Sequence, residues 1–205
     1  MHYSVIFYVL VIDFLALMSP GPDFFMVLRN SLTKSFEAGV YTAMGICLGT
    51  CVTFAIGMFG IGGLIAHSKI LFIIFKISGA SYLAYLGIKS ILDKETIQEP
   101  NIIALEINHS LSEYFRIGLW CNLTNPKAFM FIIALSTYVV QHGSPFIDGS
   151  IIVLISTIST FIWFSLVSFI FGTYRARQIF YSKQRIIHIL FGLILLYIAF
   201  RIISF

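Results

Sequence analysis

The chain has 205 residues, of which 59% are hydrophobic and only 11% charged, with a net charge of +4. A charged fraction less than half of the roughly 25% usual in soluble domains excludes a soluble globular fold, and so apolar a chain is not disordered. The basic excess points to cytoplasmic loops of a membrane protein and not to nucleic acid, while three cysteines in apolar surroundings imply no disulfide framework.

A membrane-spanning helix needs roughly 20 consecutive apolar residues, and six such runs follow one another along the chain. The first covers 3–18. No basic residue precedes it and Ser19-Pro20-Gly21-Pro22 replaces a cleavage site, so it reads as a mature helix and not a signal peptide. The second, 38–66, contains seven glycines, Gly39, Gly45 and Gly49 among them. The third is 70–92. A hydrophilic stretch, 93–113, carries five of the nine acidic residues and reads as a surface linker. The fourth run, 118–140, is interrupted by Asn122, Asn125, Pro126 and Lys127; the fifth is 151–173 and the sixth 186–205. The runs are too long for strands and lack the alternation of an outer-membrane barrel. The expected fold is an all-α integral membrane protein with six transmembrane helices.

Lysine and arginine placement orients the chain. The 1–2, 3–4 and 5–6 connections hold nine basic residues, from Arg29 and Lys34 to Lys183 and Arg185, against Lys69, Lys76 and Arg201 on the other side. The first set is expected to be cytoplasmic, leaving both termini outside.

The two halves resemble each other. Gly21-Pro22-Asp23-Phe24-Phe25-Met26 overlays Asn125-Pro126-Lys127-Ala128-Phe129-Met130 at an offset of 104, where Gly39 also meets Gly143 and Gly45 meets Gly149. Each half has an odd number of spans, so a duplication would be inverted. The expected division is residues 1–92 as one three-helix repeat, 93–113 as the linker and 114–205 as the second repeat. Transporters of this plan bind substrate near the midplane, at helices broken in corresponding positions. Proline suits the first turn of a helix and Asn125 suits an N-cap. Each break therefore starts a helix whose free N–H groups can hold a carboxylate; the plainer alternative is a pair of kinks.

Asp23 and Lys127 occupy matching positions with opposite charge, and an ionisable residue at membrane depth is a functional candidate. Asp23 can bind a substrate ammonium or carry a coupling proton. Lys127 can hold a carboxylate or neutralise Asp23, and a purely structural salt bridge is the simpler alternative. Asp13, ten residues into the first run, is a second candidate for proton coupling. Arg29 and Asn30 follow the first break and are candidates for gating. Gly39, Gly45, Gly49 and Gly79 read as helix-packing positions, Gly45 and Gly49 having small-xxx-small spacing. Cys47, Cys51 and Cys121 form no Cys-x-x-Cys, and the histidines are scattered, so no metal site is expected. Neither a Walker A loop, a Gly-x-Ser-x-Gly nor a His-Glu-x-x-His occurs. The chain is therefore expected to be a transporter without a cofactor, and not an enzyme, drawing on an ion or substrate gradient.

Ser19-Pro20-Gly21-Pro22-Asp23 through Arg29-Asn30-Ser31-Leu32 resembles the opening motif of the LysE/RhtB family of bacterial amino acid exporters. Gly39 and Gly45-Ile46-x-Leu48-Gly49 continue it. The segments from Lys76 and Gly79 to Gly87, and from Phe115 through Gly118 and Asn122 to Ala128, are similar to that family's third and fourth helices. The resemblance implies export of amino acids or close derivatives across the cytoplasmic membrane against protons. Asp23 and the two broken segments, Pro20, Gly21, Pro22 and Asn122, Asn125, Pro126, Lys127, would then line the substrate path. Its implied partners are the amino acid, a coupling proton and the lipid bilayer, with a homodimer left open and no nucleic acid. Ser136-Thr137-Tyr138 departs from the family's proline and aromatic run, and Asp13 is not a family position. Two other functions stay open: a membrane thiol-redox carrier, which would need Cys121 to meet Cys47 or Cys51, and an inorganic cation exporter using Asp13 and Asp23.

Overall fold

In lipid the backbone of such apolar runs can satisfy its polar groups only within helices or a closed barrel. The computed structural model, which describes residues 3–61, 67–92, 110–144, 146–171 and 174–204, takes the helical solution, with no strand among the described residues. Helix α1 (Tyr3–Met18) ends before the prolines, and α2 (Pro22–Thr33) starts on one. Helix α3 (Phe36–Ala55) is started by Ser35, whose hydroxyl accepts from the Ala38 N–H, and it widens at its end into a π-helical turn, Ile56–Ile61. Helix α4 is Lys69–Leu92. Helix α5 (Leu111–Leu123) opens with the Ser110 N–H donating to the Glu113 carboxylate, 2.6 Å. Helix α6 is Pro126–His142, α7 is Ile147–Phe171 and α8 is Tyr174–Ser204.

Four helices are long and apolar enough to cross a membrane alone. The pairs α1–α2 and α5–α6, bent by 50° and 52° at their breaks, make up the other two spans. Each break lies near the middle of its span, with 16 and 12 residues on its two sides in the first and 13 and 17 in the second. Most of the expected linker, 93–109, lies outside the described residues; its last residues, from Leu111, already belong to α5. Helices α3, α7 and α8 begin earlier than hydropathy alone suggested, because polar first turns such as that of Asp148, which accepts from the Ser144 N–H, extend them beyond their apolar runs. The expected matches of Gly39 with Gly143 and of Gly45 with Gly149 do not hold in space. Helix α6 outruns α2 by five residues, so Gly143 caps the end of α6 and Gly149 lies in the first turn of α7, whereas Gly39 lies in the first turn of α3 and Gly45 well inside it.

Helix α3 is the hub, packed on α2, α5 and α7. Glycines set its approach to α5: a Cβ on Gly45 would strike the Phe115 carbonyl oxygen, and one on Gly118 would lie 2.1 Å from that of Thr42. Gly49 faces the Asn122 side chain, Gly39 the hydroxyls of Ser31 and Ser168, and Gly79 the Ala134 backbone of α6. At each of these glycines a side chain would meet atoms of a neighbouring helix. Helices α4 and α8 cross at Gly87 and Gly192, each facing the other's carbonyl oxygen.

Two apolar clusters result. The larger joins Val9, Ile12, Met58, Ile132, Leu135 and Ile198 with their neighbours; the smaller joins Phe24, Val27, Leu28, Ile46, Phe164 and Val167. The two broken spans run through the space between them. At the end of the molecule beyond the larger cluster, Tyr138 stacks on His142 at 4.4 Å and lies 4.8 Å from the Tyr8 ring, which the Arg201 guanidinium covers.

Candidate functional site

The two breaks have the same construction. Gly21 is the N-cap of α2 and Pro22 its first residue; Asn125 is the N-cap of α6 and Pro126 its first residue. Proline costs nothing at that position because the N–H it lacks has no helical partner there. The caps differ in one respect. The Asn125 side chain accepts from the Lys127 N–H at 3.0 Å, whereas Gly21 has no side chain to offer, so the first N–H groups of α2 remain open to a ligand.

Asp23 and Lys127 are both second residues of their helices, with opposite electrostatic consequences. A carboxylate is favoured at the positive N-terminal end of a helix and an ammonium is not. Asp23 accordingly stays at its own helix end, where its Oδ2 accepts from the Asn122 amide at 2.9 Å. The same amide reaches Thr50 Oγ1 on α3 at 3.3 Å. Asn125 and the Cys121 thiol also neighbour this carboxylate, and its Oδ1 is buried without a hydrogen-bond partner.

Lys127 instead crosses to the C-terminal end of α1. Its Nζ donates to the carbonyl oxygens of Ser19 at 2.9 Å and Ala16 at 3.3 Å, at the negative end of that helix. Gly21 leaves room for it: a Cβ there would stand 3.3 Å from Nζ. Residues 20–23 and 125–127 therefore meet, but Asp23 and Lys127 form no direct salt bridge. The lysine is held by main-chain oxygens and keeps one of its three N–H donors for another partner.

A partly open cavity lies here, with about 580 Å³ of empty space including its open mouth. Its polar lining comes from Asp13, Ser19, Asp23, Asn122, Asn125 and Lys127, with Thr50 and Thr53 of α3 and Thr160 of α7. Leu17, Phe24, Phe54, Phe131, Ile132 and Phe164 supply an apolar wall. Gly21 lines it too, whereas Pro20, Pro22 and Pro126, expected on the substrate path, are not among its lining residues. Asp13 is 7% exposed and faces the cavity. The candidate gating residues lie elsewhere: Asn30 is buried and ties α2 to α3 through Thr42 at 2.9 Å, and Arg29 is exposed. Residues of α3 and α7, notably Thr50, Thr53, Thr160 and Phe164, had no motif to mark them.

Cys47 donates to the Thr157 carbonyl on α7 at 3.4 Å, while Cys121 lies against Asp23, and all three thiols are free. Among the described residues no three of His, Cys, Asp or Glu converge on a point where a metal ion could sit.

The LysE type translocator model matches residues 14–204. The chain is 25% identical over 185 residues to YahN, an uncharacterized membrane protein of Escherichia coli (strain K12), covering 90% of this chain and 82% of that one. It is 30% identical over 139 residues to the leucine efflux proteins of Salmonella typhimurium and Salmonella typhi, covering 68% of this chain and 65%, just under two thirds, of each of theirs. No solved structure matches the chain.

Proposed function

We propose, since the chain belongs to the LysE type translocator family, that it exports neutral, largely apolar amino acids from the cell in exchange for protons. It is a multi-pass protein of the bacterial inner membrane. The observation that carries the reading is the meeting of two helix N-termini, a half-buried carboxylate and an ammonium with one donor left on one cavity between broken spans. An amino acid carboxylate fits the open N–H groups of α2 and the third donor of Lys127. The wall of Phe54, Phe131, Ile132 and Phe164 suits an aliphatic or aromatic side chain, and the leucine efflux relatives favour the same class. Exchange for protons needs an ionisable group that proton and substrate occupy in turn. Asp23 and Asp13 are the two carboxylates on the cavity.

Helix packing supports the inverted-repeat reading. The span α1–α2 lies against α7 as α5–α6 lies against α3; α8 touches α1 as α4 touches α6; and α3 with α7, and α4 with α8, pack as pairs. Exchanging the first three spans for the last three preserves these pairs, whereas the packing of α2 on α3 and of α7 on α8 has no comparable counterpart among the described residues. The two apolar clusters flank the cavity and would part in turn as one repeat rocks on the other.

The test is efflux from proteoliposomes loaded with a panel of amino acids under an imposed pH gradient. Leucine and its aliphatic neighbours should leave faster with the gradient than without it, and lysine or aspartate should not. Movement of none of them would end the reading.

A further inference from the structure

Asp13 is the one charged side chain of the cavity that neither break supplies. It is 93% buried, lies on the cavity wall, and has no charged neighbour among the described residues. The Ser156 hydroxyl stands beside its carboxylate, fully buried, without completing a hydrogen bond. Buried polar groups are ordinarily paired, and a buried carboxylate left without a cation is costly. Asp13 faces the cavity and Ser156 stands beside it outside the cavity lining, so the carboxylate makes a seat for a cationic donor.

Position along α1 says which donor. Ala16 follows Asp13 by one helical turn on the same face, about 4.5 Å along the axis, and the Ala16 carbonyl is one of the two that hold the Lys127 ammonium. A fixed positive charge and an unpaired negative one therefore line the same cavity. An α-amino acid presents the complementary dipole, its carboxylate and ammonium separated by a single carbon. Asp23 is the less suitable seat, since one of its oxygens is taken by Asn122 and the Lys127 charge acts on it, so a second cation there would be repelled.

We infer that Asp13, with Ser156, is the subsite for the substrate's α-ammonium group, and that it sets the requirement for an amino acid over a plain carboxylic acid. The inference rests on the export reading above. With the carboxylate at Lys127 and the ammonium at Asp13, the side chain is directed to the Phe54 and Phe131 wall.

The test is calorimetric binding of leucine and of 4-methylpentanoate, the same skeleton without the ammonium, to the purified full-length protein. Wild type should bind leucine the more tightly. Asp13→Asn should weaken leucine roughly 10- to 100-fold, the worth of a charged hydrogen bond, and leave 4-methylpentanoate within about twofold. Asp13→Glu should recover part of the loss. Ser156→Ala, which keeps the charge, should weaken leucine several-fold and serves if Asp13→Asn does not fold. Unchanged leucine binding in Asp13→Asn or Ser156→Ala, or equal loss of both ligands, would overturn the inference while leaving the export reading intact. Unchanged leucine binding with loss of gradient-driven efflux would make Asp13 a proton carrier only. Wild type that binds neither ligand would remove the export reading, and this inference with it.

Discussion

Gly118→Ala is the sharpest probe of how the fold holds the site. The added methyl group would lie 2.1 Å from the Thr42 carbonyl oxygen and 2.9 Å from its carbon, both main-chain atoms of α3. No rotamer relieves that contact, so α3 and α5 must separate by ~1.3 Å to restore ordinary van der Waals distance. One turn further along α5 stands Asn122, whose amide joins Asp23 and Thr50 at 2.9 and 3.3 Å. The longer bond is already near the limit and breaks first. Overpacking of this kind costs about 1–3 kcal/mol. For a chain of this length that is a fall of roughly 2–12 °C in Tm. Helical ellipticity followed on heating the purified protein measures it, and proteoliposome efflux should fall in the same variant. Gly149→Ala is the control, because its nearest new contact is an ordinary 3.4 Å from Met58 Cβ, and its Tm should match wild type. Equal melting of Gly118→Ala and wild type, or an equal fall in the control, would refute the argument that backbone contact at this glycine positions Asn122.

Asp23→Asn keeps a carbonyl oxygen to accept from Asn122, so the protein should insert and melt normally while gradient-driven efflux is lost; wild-type efflux would take Asp23 out of the mechanism. Lys127→Gln should lower stability by about 1–3 kcal/mol, the worth of charged hydrogen bonds to the Ser19 and Ala16 carbonyls, and raise the substrate KM, both readable in the melting and efflux assays. The variant with serine at positions 47, 51 and 121 should still transport, since the thiols face different partners; a folded but inactive protein would revive the thiol-redox reading. A cysteine at position 104 in that background should resist an impermeant maleimide in intact cells, as a cytoplasmic linker requires, and ready labelling would invert the proposed topology.

Much of this was legible in the sequence because it is local. A proline at N1 announces a helix start within two residues, and hydropathy over twenty residues marks a span whatever its neighbours. Gly45 and Gly49 pointed to a close crossing, though not to which helix would fill it. The α7 side of the cavity was not legible. Serine and threonine in membrane helices commonly bond back to the preceding turn, as Thr53 does to the Gly49 carbonyl and Ser136 to that of Ile132. Nothing in spacing separates those from Ser156 or Thr160, which face Asp13 and the cavity. The likeness of the two breaks was visible in the sequence, where a proline at N1 fixes the register; the glycine matches beyond them do not keep it, because α6 is longer than α2.

The hold on Lys127 has an evolutionary side. Its two partners are carbonyl oxygens of residues 16 and 19, atoms that every amino acid carries. No substitution at either position can remove them, so neither residue 16 nor residue 19 need change in step with position 127. Methods that find contacts from paired changes between relatives are blind to this one. What lineages can alter is the trajectory of the chain at 19–22, and through it where those oxygens point. Divergence among exporters built this way should therefore be sought in the geometry of the first break more than in the identity of a lysine partner.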